Sequence, residues 1–222
     1  MAAYTGKVRP GGTPDVRELA KLVITKVAVD DQMSNNCYVL RCRATDEQLL
    51  VDAAADAPRL LAVVGDGGLA TVVTTHQHWD HHRALADVVS ATGASTVAGA
   101  DDARAITEQT GVEVRRTVGD GDTVTVGECT LDVIHLVGHT PGSIALLYRG
   151  ADRPHLFTGD SLFPGGPGKT WSAEDFASLM DDLEERVFGT LPDETWVYPG
   201  HGDDTTLGRE RPSLPEWRER GW

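Results

Sequence analysis

The chain has 222 residues, 40% of them hydrophobic and 24% charged, the balance of an ordinary water-soluble globule long enough to bury about seven-tenths of its unfolded surface around one large core. A formal charge of −14, from 34 acidic against 20 basic residues, excludes nucleic acid as a partner, because phosphate backbones call for clustered lysine and arginine. No apolar run approaches the roughly twenty residues that span a bilayer and no basic start leads into an apolar stretch, which excludes a membrane role and makes the cytoplasm the expected location.

Residues 1–16 are rich in glycine and proline and are expected to form a loosely held segment ahead of a single domain over 17–222. Strand patterns run over 22–29, 37–43 and 48–51, a helix over 57–64, a strand over 70–75, and helices over 81–90 and 101–109. Further strands are expected at 123–126, 130–136, 143–148 and 155–158, and the segment Trp196-Val197-Tyr198-Pro199 reads as a strand end. The helix expected over 173–188 has Ser172 as its cap, with Glu174 and Asp175 in the first turn, where the helix dipole favours negative charge. Strands interleaved with helices and joined by Gly-rich turns imply a layered α/β sandwich. Cys37, Cys42 and Cys129 are odd in number and lack zinc-type spacing, so they read as reduced and buried. Trp196, Trp217 and Trp222 read as packing or tail residues.

The stretch His76-Gln77-His78-Trp79-Asp80-His81 concentrates ligand-type side chains in a chain with only 8 histidines. It joins an expected strand to an expected helix. On extended backbone alternate residues face one way, so His76, His78 and Asp80 converge while His81 turns toward a second centre. Imidazole and carboxylate without a nearby thiolate suit zinc, with iron or manganese as alternatives. Three isolated residues extend the set: His139 in the turn Gly138-His139-Thr140-Pro141-Gly142, Asp160 in Gly159-Asp160-Ser161, and His201 between Gly200 and Gly202. Each follows an expected strand, the place where open sheets hold their sites. Together they complete coordination sets for two divalent ions. Such a pair can share a water, lower its pKa toward neutrality and present hydroxide to an electrophilic carbon, so the expected reaction is hydrolysis.

The HxHxDH pattern of His76, His78, Asp80 and His81, followed in order by His139, Asp160 and His201, resembles the metallo-β-lactamase superfamily of binuclear hydrolases over about residues 22–212. The resemblance implies a four-layer αββα sandwich, two mixed sheets flanked by helices, with the metals at one edge between the sheets. It assigns one metal to His76, His78 and His139, the other to Asp80, His81 and His201, with Asp160 bridging both. Asp80 and Asp160 would then orient the nucleophile. Within the superfamily, Thr75-His76-Gln77-His78-Trp79-Asp80-His81 and Thr158-Gly159-Asp160-Ser161-Leu162-Phe163 look most like the glyoxalase II, or hydroxyacylglutathione hydrolase, group in its short single-domain bacterial form. That implies cleavage of a small-thiol thioester, with Lys169 of Gly168-Lys169 contacting a carboxylate of the thiol. The chain departs from the group at His82-Arg83-Ala84, where small glycines are expected, and at Thr170-Trp171-Ser172, in place of an expected aromatic element. Another small thiol therefore competes with glutathione. His82 either supports the metal ligands from behind or, as expected, lies on a partly exposed helix face, and Trp79, Trp171 and Phe163 either line a pocket or simply pack.

Other readings share the pattern. Persulfide dioxygenases also resemble this chain and would use His76, His139 and Asp160 as a two-His, one-carboxylate site for a single iron(II). A lactonase, a β-lactamase and a non-catalytic metal scaffold are the remaining alternatives. The partner expected in every catalytic reading is a small-molecule substrate, and the oligomeric state is left open.

Overall fold

The computed structural model describes residues 3–221; Met1, Ala2 and Trp222 lie outside the described residues. Strands β1 (Asp15–Glu18), β2 (Leu22–Val29), β3 (Asn35–Cys42) and β4 (Gln48–Val51) lead into helix α1 (Ala57–Val64). Strand β5 (Thr71–Thr74), helix α2 (Leu85–Thr92), β6 (Ser95–Gly99), α3 (Ala100–Thr110) and β7 (Arg116–Val118) follow. Among the described residues these strands form one 7-stranded sheet in sequence order. It is antiparallel from β1 to β4 and parallel from β4 to β7.

The second half opens with β8 (Thr123–Val126), β9 (Cys129–His135), β10 (Ile144–Arg149) and β11 (Pro154–Gly159), then a short hairpin of β12 (Leu162–Phe163) and β13 (Gly166–Pro167). Helix α4 (Ala173–Asp182) continues into a π-helical segment, Leu183–Phe188, before β14 (Trp196–Pro199), β15 (Thr205–Thr206), α5 (Leu207–Glu210) and α6 (Leu214–Arg220). The 6-stranded second sheet has the order β15-β14-β11-β10-β9-β8 and is mixed, because β14 runs parallel to β11.

Strands such as β2 (LVITKVAV) and β3 (NNCYVLRC) are buried almost throughout, since each face meets a different layer. Ile24, Leu40 and Val73 of the first sheet pack between the sheets against Leu131, Leu146 and Phe157 of the second. Val39, Leu50 and Val72 face outward onto Leu60, Leu85 and Ile106 of the first helix layer. Leu147 and Leu156 face Phe176, Leu183 and Trp217 of the other. The result is the expected αββα sandwich, two mixed sheets with helices on both outer faces.

Several elements differ from expectation. Strand β6 is STVAG, poor in the bulky residues that mark strands, and β7 has 3 residues, too few for a periodic signal. Strand β1 is half exposed and charged, as befits a sheet edge. Residues before it are tied to the body: Thr5 and Gly6 donate their amides to Asp15, and the Lys26 ammonium donates to the Gly6 carbonyl. The helix expected from residue 81 begins at Leu85, because Trp79–His81 winds into a 3₁₀ turn. His82 is not on an exposed helix face; it is buried at 3% exposure beside that turn and donates Nε2–H to the Gln77 carbonyl. Ser172 caps α4 as expected, accepting the Asp175 amide. Cys37, Cys42 and Cys129 are buried and unbridged. No described helix is long and apolar enough to cross a membrane.

One buried histidine gives the fold a pH signature. His155 of β11 faces the Tyr198 hydroxyl at 2.9 Å, and burial pushes its imidazole down to about 4 although Asp152 partly opposes this. The folded value lies below the unfolded one, so the unfolded chain takes up the proton first as pH falls. Its stabilising contribution is complete above about pH 6.5 and is lost as pH falls toward about 4. The stability advantage of wild type over His155→Asn is therefore expected to shrink by on the order of 2 kcal/mol between about pH 7 and about pH 4.5. Urea unfolding at the two pH values checks this, and a constant difference would contradict it.

Candidate metal centre

Four chain segments reach one rim of the sandwich. The loop after β5 carries His76, His78, Asp80 and His81; the β9–β10 connection carries His139; Asp160 follows β11; His201 follows β14. All seven residues singled out in the sequence meet there. His76 Nε2 lies 3.1 Å from His78 Nδ1, His78 Nδ1 lies 2.9 Å from His139 Nε2, and His139 Nε2 lies 3.3 Å from His76 Nε2. Beside them His81 Nε2 is 3.1 Å from His201 Nε2, and Asp80 Oδ2 is 3.5 Å and 3.4 Å from those two nitrogens. Asp160 faces both groups: Oδ1 is 3.3 Å from His81 Nε2, while Oδ2 is 3.3 Å from His201 Nε2 and 3.7 Å from His139 Nε2.

These spacings fit cations better than hydrogen bonds. A neutral imidazole offers one donor, so three ring nitrogens crowded on one point cannot satisfy one another. Ligand atoms about 2.0–2.1 Å from a tetrahedral zinc ion stand roughly 3.3 Å apart, which is the separation found here. Asp160 Oδ1 is buried and makes no hydrogen bond among the described residues, as an atom aimed at a cation would.

The outward ring nitrogens are held by the fold, which orients the inward lone pairs. His139 donates Nδ1–H to the Lys169 carbonyl at 2.7 Å, His201 donates to the Met33 carbonyl at 2.9 Å, and His81 donates to Asp52 Oδ2 at 2.8 Å. Asn35 Nδ2 donates to Asp80 Oδ2. Asp52 also accepts the Thr75 amide and hydroxyl, and its backbone is left-handed, φ 58, a conformation aspartate tolerates better than most residues. Asp52 and Asn35 were missed in the sequence. Asp52 had a signal, an acidic residue at an expected strand end like Asp160. Gly200 leaves room for the centre, since a Cβ there would stand 2.2 Å from Asp160 Oδ1 and 2.7 Å from His81 Cε1.

The electrostatics divide the imidazoles. Burial, reinforced by neighbouring imidazoles, pushes His76 well below its ordinary value and His78 down to about 4, and burial lowers His139 too. Burial also opposes charge on His81 and His201, but Asp160 with Asp52 outweighs it at His81, and Asp160 with Asp80 raises His201 to about 9. Burial would raise the carboxyls of Asp80 and Asp160; the hydrogen bond from His201 and the charge of His81 instead hold both below the usual range. The half holding the carboxylates thus attracts positive charge, and the three-imidazole half presents neutral donors.

Trp79 and Trp171 do not pack in the core; they are 54% and 65% exposed, and Trp171 lines the groove beside His78 and His139. Trp171 stands edge-on to His78 with ring centroids 6.2 Å apart, and the Lys169 ammonium lies 4.3 Å from the Trp171 ring centroid. Arg83 covers Trp79 and pairs with Asp30 at 2.5 Å. Phe163 lies 6.3 Å from His201, ring to ring. A groove lined by Gln77, His78, Val137, His139, Pro141 and Trp171 opens on the centre.

Residues 30–201 match the family model described as the metallo-beta-lactamase superfamily. A hydroxyacylglutathione hydrolase of Rhodospirillum rubrum is 34% identical over 184 residues, which are 82% of this chain and 67% of that protein. The chain thus spans about two thirds of the length of such relatives. The crystal structure of ETHE1 from Myxococcus xanthus superposes with a TM-score of 0.71 at 33% identity, covering 86% of this chain and 83% of the other. That of TTHA1623 in a di-iron-bound form gives 0.67 at 27% identity, covering 86% and 98%.

Proposed function

Because the chain belongs to the metallo-beta-lactamase superfamily, we propose that it is a metal-dependent hydrolase of small-thiol thioesters, acting through two divalent ions, zinc or alternatively iron or manganese. The observation that carries this reading is the pair of adjoining ligand nests, His76, His78 and His139 beside Asp80, His81 and His201, with Asp160 facing both. The likeness to hydroxyacylglutathione hydrolases supports the thioester, and the likeness to a di-iron-bound structure supports two metals. When bound, such ions lower the pKa of a shared water and polarise a carbonyl. Asp80 and Asp160 would supply the negative charge that holds such ions and would orient the nucleophile. The outward contacts of His81, His139 and His201 keep the rings fixed during turnover. A thiolate leaves without a general acid, so this substrate class asks for no dedicated proton donor at the site. Free buried cysteines fit the reducing cytoplasm, where this reading places the protein.

Lys169 is the proposed contact for a carboxylate on the thiol, with Trp171 as the apolar wall beneath it. Assays of D-lactoyl thioesters of several small thiols test the function. Lys169→Ala is expected to raise KM about tenfold for thiols bearing carboxylates and to leave kcat near wild type. An unaltered KM would remove Lys169 from the substrate site, and no turnover of any thioester would overturn the reading.

The likeness to ETHE1 supports a second reading, no more strongly than the relatives support hydrolysis: an iron persulfide dioxygenase, which would use His76, His139 and Asp160 as ligands. Oxygen consumption with a persulfide substrate would support it over hydrolysis. Lactonase and β-lactamase activities are separated by the same panel extended to lactones and lactams.

A further inference from the structure

Asp102 belongs to no ligand set, yet its environment is built almost entirely from the ligand loops. It lies in the first turn of α3, is 0% exposed, and forms no ion pair among the described residues. A buried carboxylate without a cation is costly unless donors surround it. Here Oδ2 accepts the Gln77 amide at 2.9 Å and the Thr140 hydroxyl at 2.6 Å, and Oδ1 accepts the Gly142 amide at 2.8 Å. Gln77 stands between His76 and His78, and Thr140 follows His139. One carboxylate therefore clasps both loops that furnish the three-imidazole half.

The backbones are pressed equally close. A Cβ on Gly142 would stand 2.3 Å from the Asp102 nitrogen, so the His139 loop rests directly on the start of α3 and admits no side chain between. Thr140 shares its hydroxyl with Ser143 at 2.6 Å, which directs its remaining bond to the carboxylate.

We propose that Asp102 is a positioning residue that sets the separation of His76 and His78 from His139 and thereby the affinity of that half for its metal; this rests on the metal-centre reading above. Asparagine in its place turns one acceptor into an NH₂ donor that faces a donor of one loop, forcing the two loops apart.

Zinc affinity of the metal-free chain, measured by competition with a chromogenic chelator, tests this alongside thermal unfolding. Asp102→Asn is expected to weaken the affected binding step by about tenfold to a hundredfold. Thr140→Val removes one arm and is expected to weaken it several-fold; it decides the matter if Asp102→Asn does not fold. Val126→Ala, where β8 pairs with Cys129 at the end of β9 far from His139, serves as a control for stability loss alone and is expected to stay within about threefold of wild type. Affinity unchanged in the Asp102→Asn chain, or in Thr140→Val where it stands alone, overturns the proposal, as does equal weakening in Val126→Ala. A wild-type chain that takes up no zinc overturns the metal reading and this inference with it.

Discussion

Asp160→Ala is expected to lower thioester turnover by roughly a thousandfold or more while leaving the sandwich folded. The carboxylate is the acidic group that approaches nitrogens of both halves, at 3.3 Å from His81 and His201 and 3.7 Å from His139. Removing it leaves His81 and His201 with Asp80 and Asp52 as neighbouring carboxylates, too few to hold two divalent charges close together. The fold tolerates the loss because Asp160 sits in the turn after β11, and its side chain packs on imidazoles rather than on the apolar layers. Steady-state kinetics of the purified variant, with circular dichroism as the control for folding, check the expectation. Unchanged turnover would contradict a centre shared through this residue.

The largest effect on stability is expected at the opposite flank of His201. Lys26 and Asp204 form an ion pair at 2.5 Å with side chains 0% and 1% exposed. The ammonium also donates to the carbonyls of Gly6 and Gly202, and Asp204 accepts the Tyr4 hydroxyl and the Trp196 indole N–H. Asp204→Ala strands a buried ammonium and frees two further donors, an expected cost of about 3–5 kcal/mol, a large share of the 5–15 kcal/mol that typically stabilises a domain. Gly202 adjoins His201, so metal affinity should fall as well. Urea unfolding of the metal-free variant measures the first effect, and a loss below about 1 kcal/mol would contradict this account of the pair.

The sequence showed more of the centre than of its support. Seven ligand-type residues were legible because each ends an apolar run in a Gly-rich or 3₁₀ turn, and because imidazole and carboxylate at alternating spacing have few other uses. Asp102 and Asn35 were not, since a single acidic or amide residue near a strand or helix start looks like any cap or turn until the partner loop is placed beside it; Asp52 carried only the signal of an acidic residue ending a strand. His82 misled because its spacing continues the pattern of α2, whereas the loop that presents Asp80 and His81 consumes those residues in a tight turn. Strands β2, β4 and β8 and helix α1 have the bounds that periodicity predicts. Strands β6 and β7 owe their existence to parallel pairing with β5 and with each other, a long-range cause that local composition does not carry.

The metal content of freshly purified, chelator-free protein, counted per chain by mass spectrometry, tests the central claim most directly. Two divalent ions per chain are predicted for the wild type, with loss of loading in His139→Ala and His201→Ala. A single iron per chain, or loading that is unchanged when both histidines are replaced, would contradict a paired-ion hydrolase.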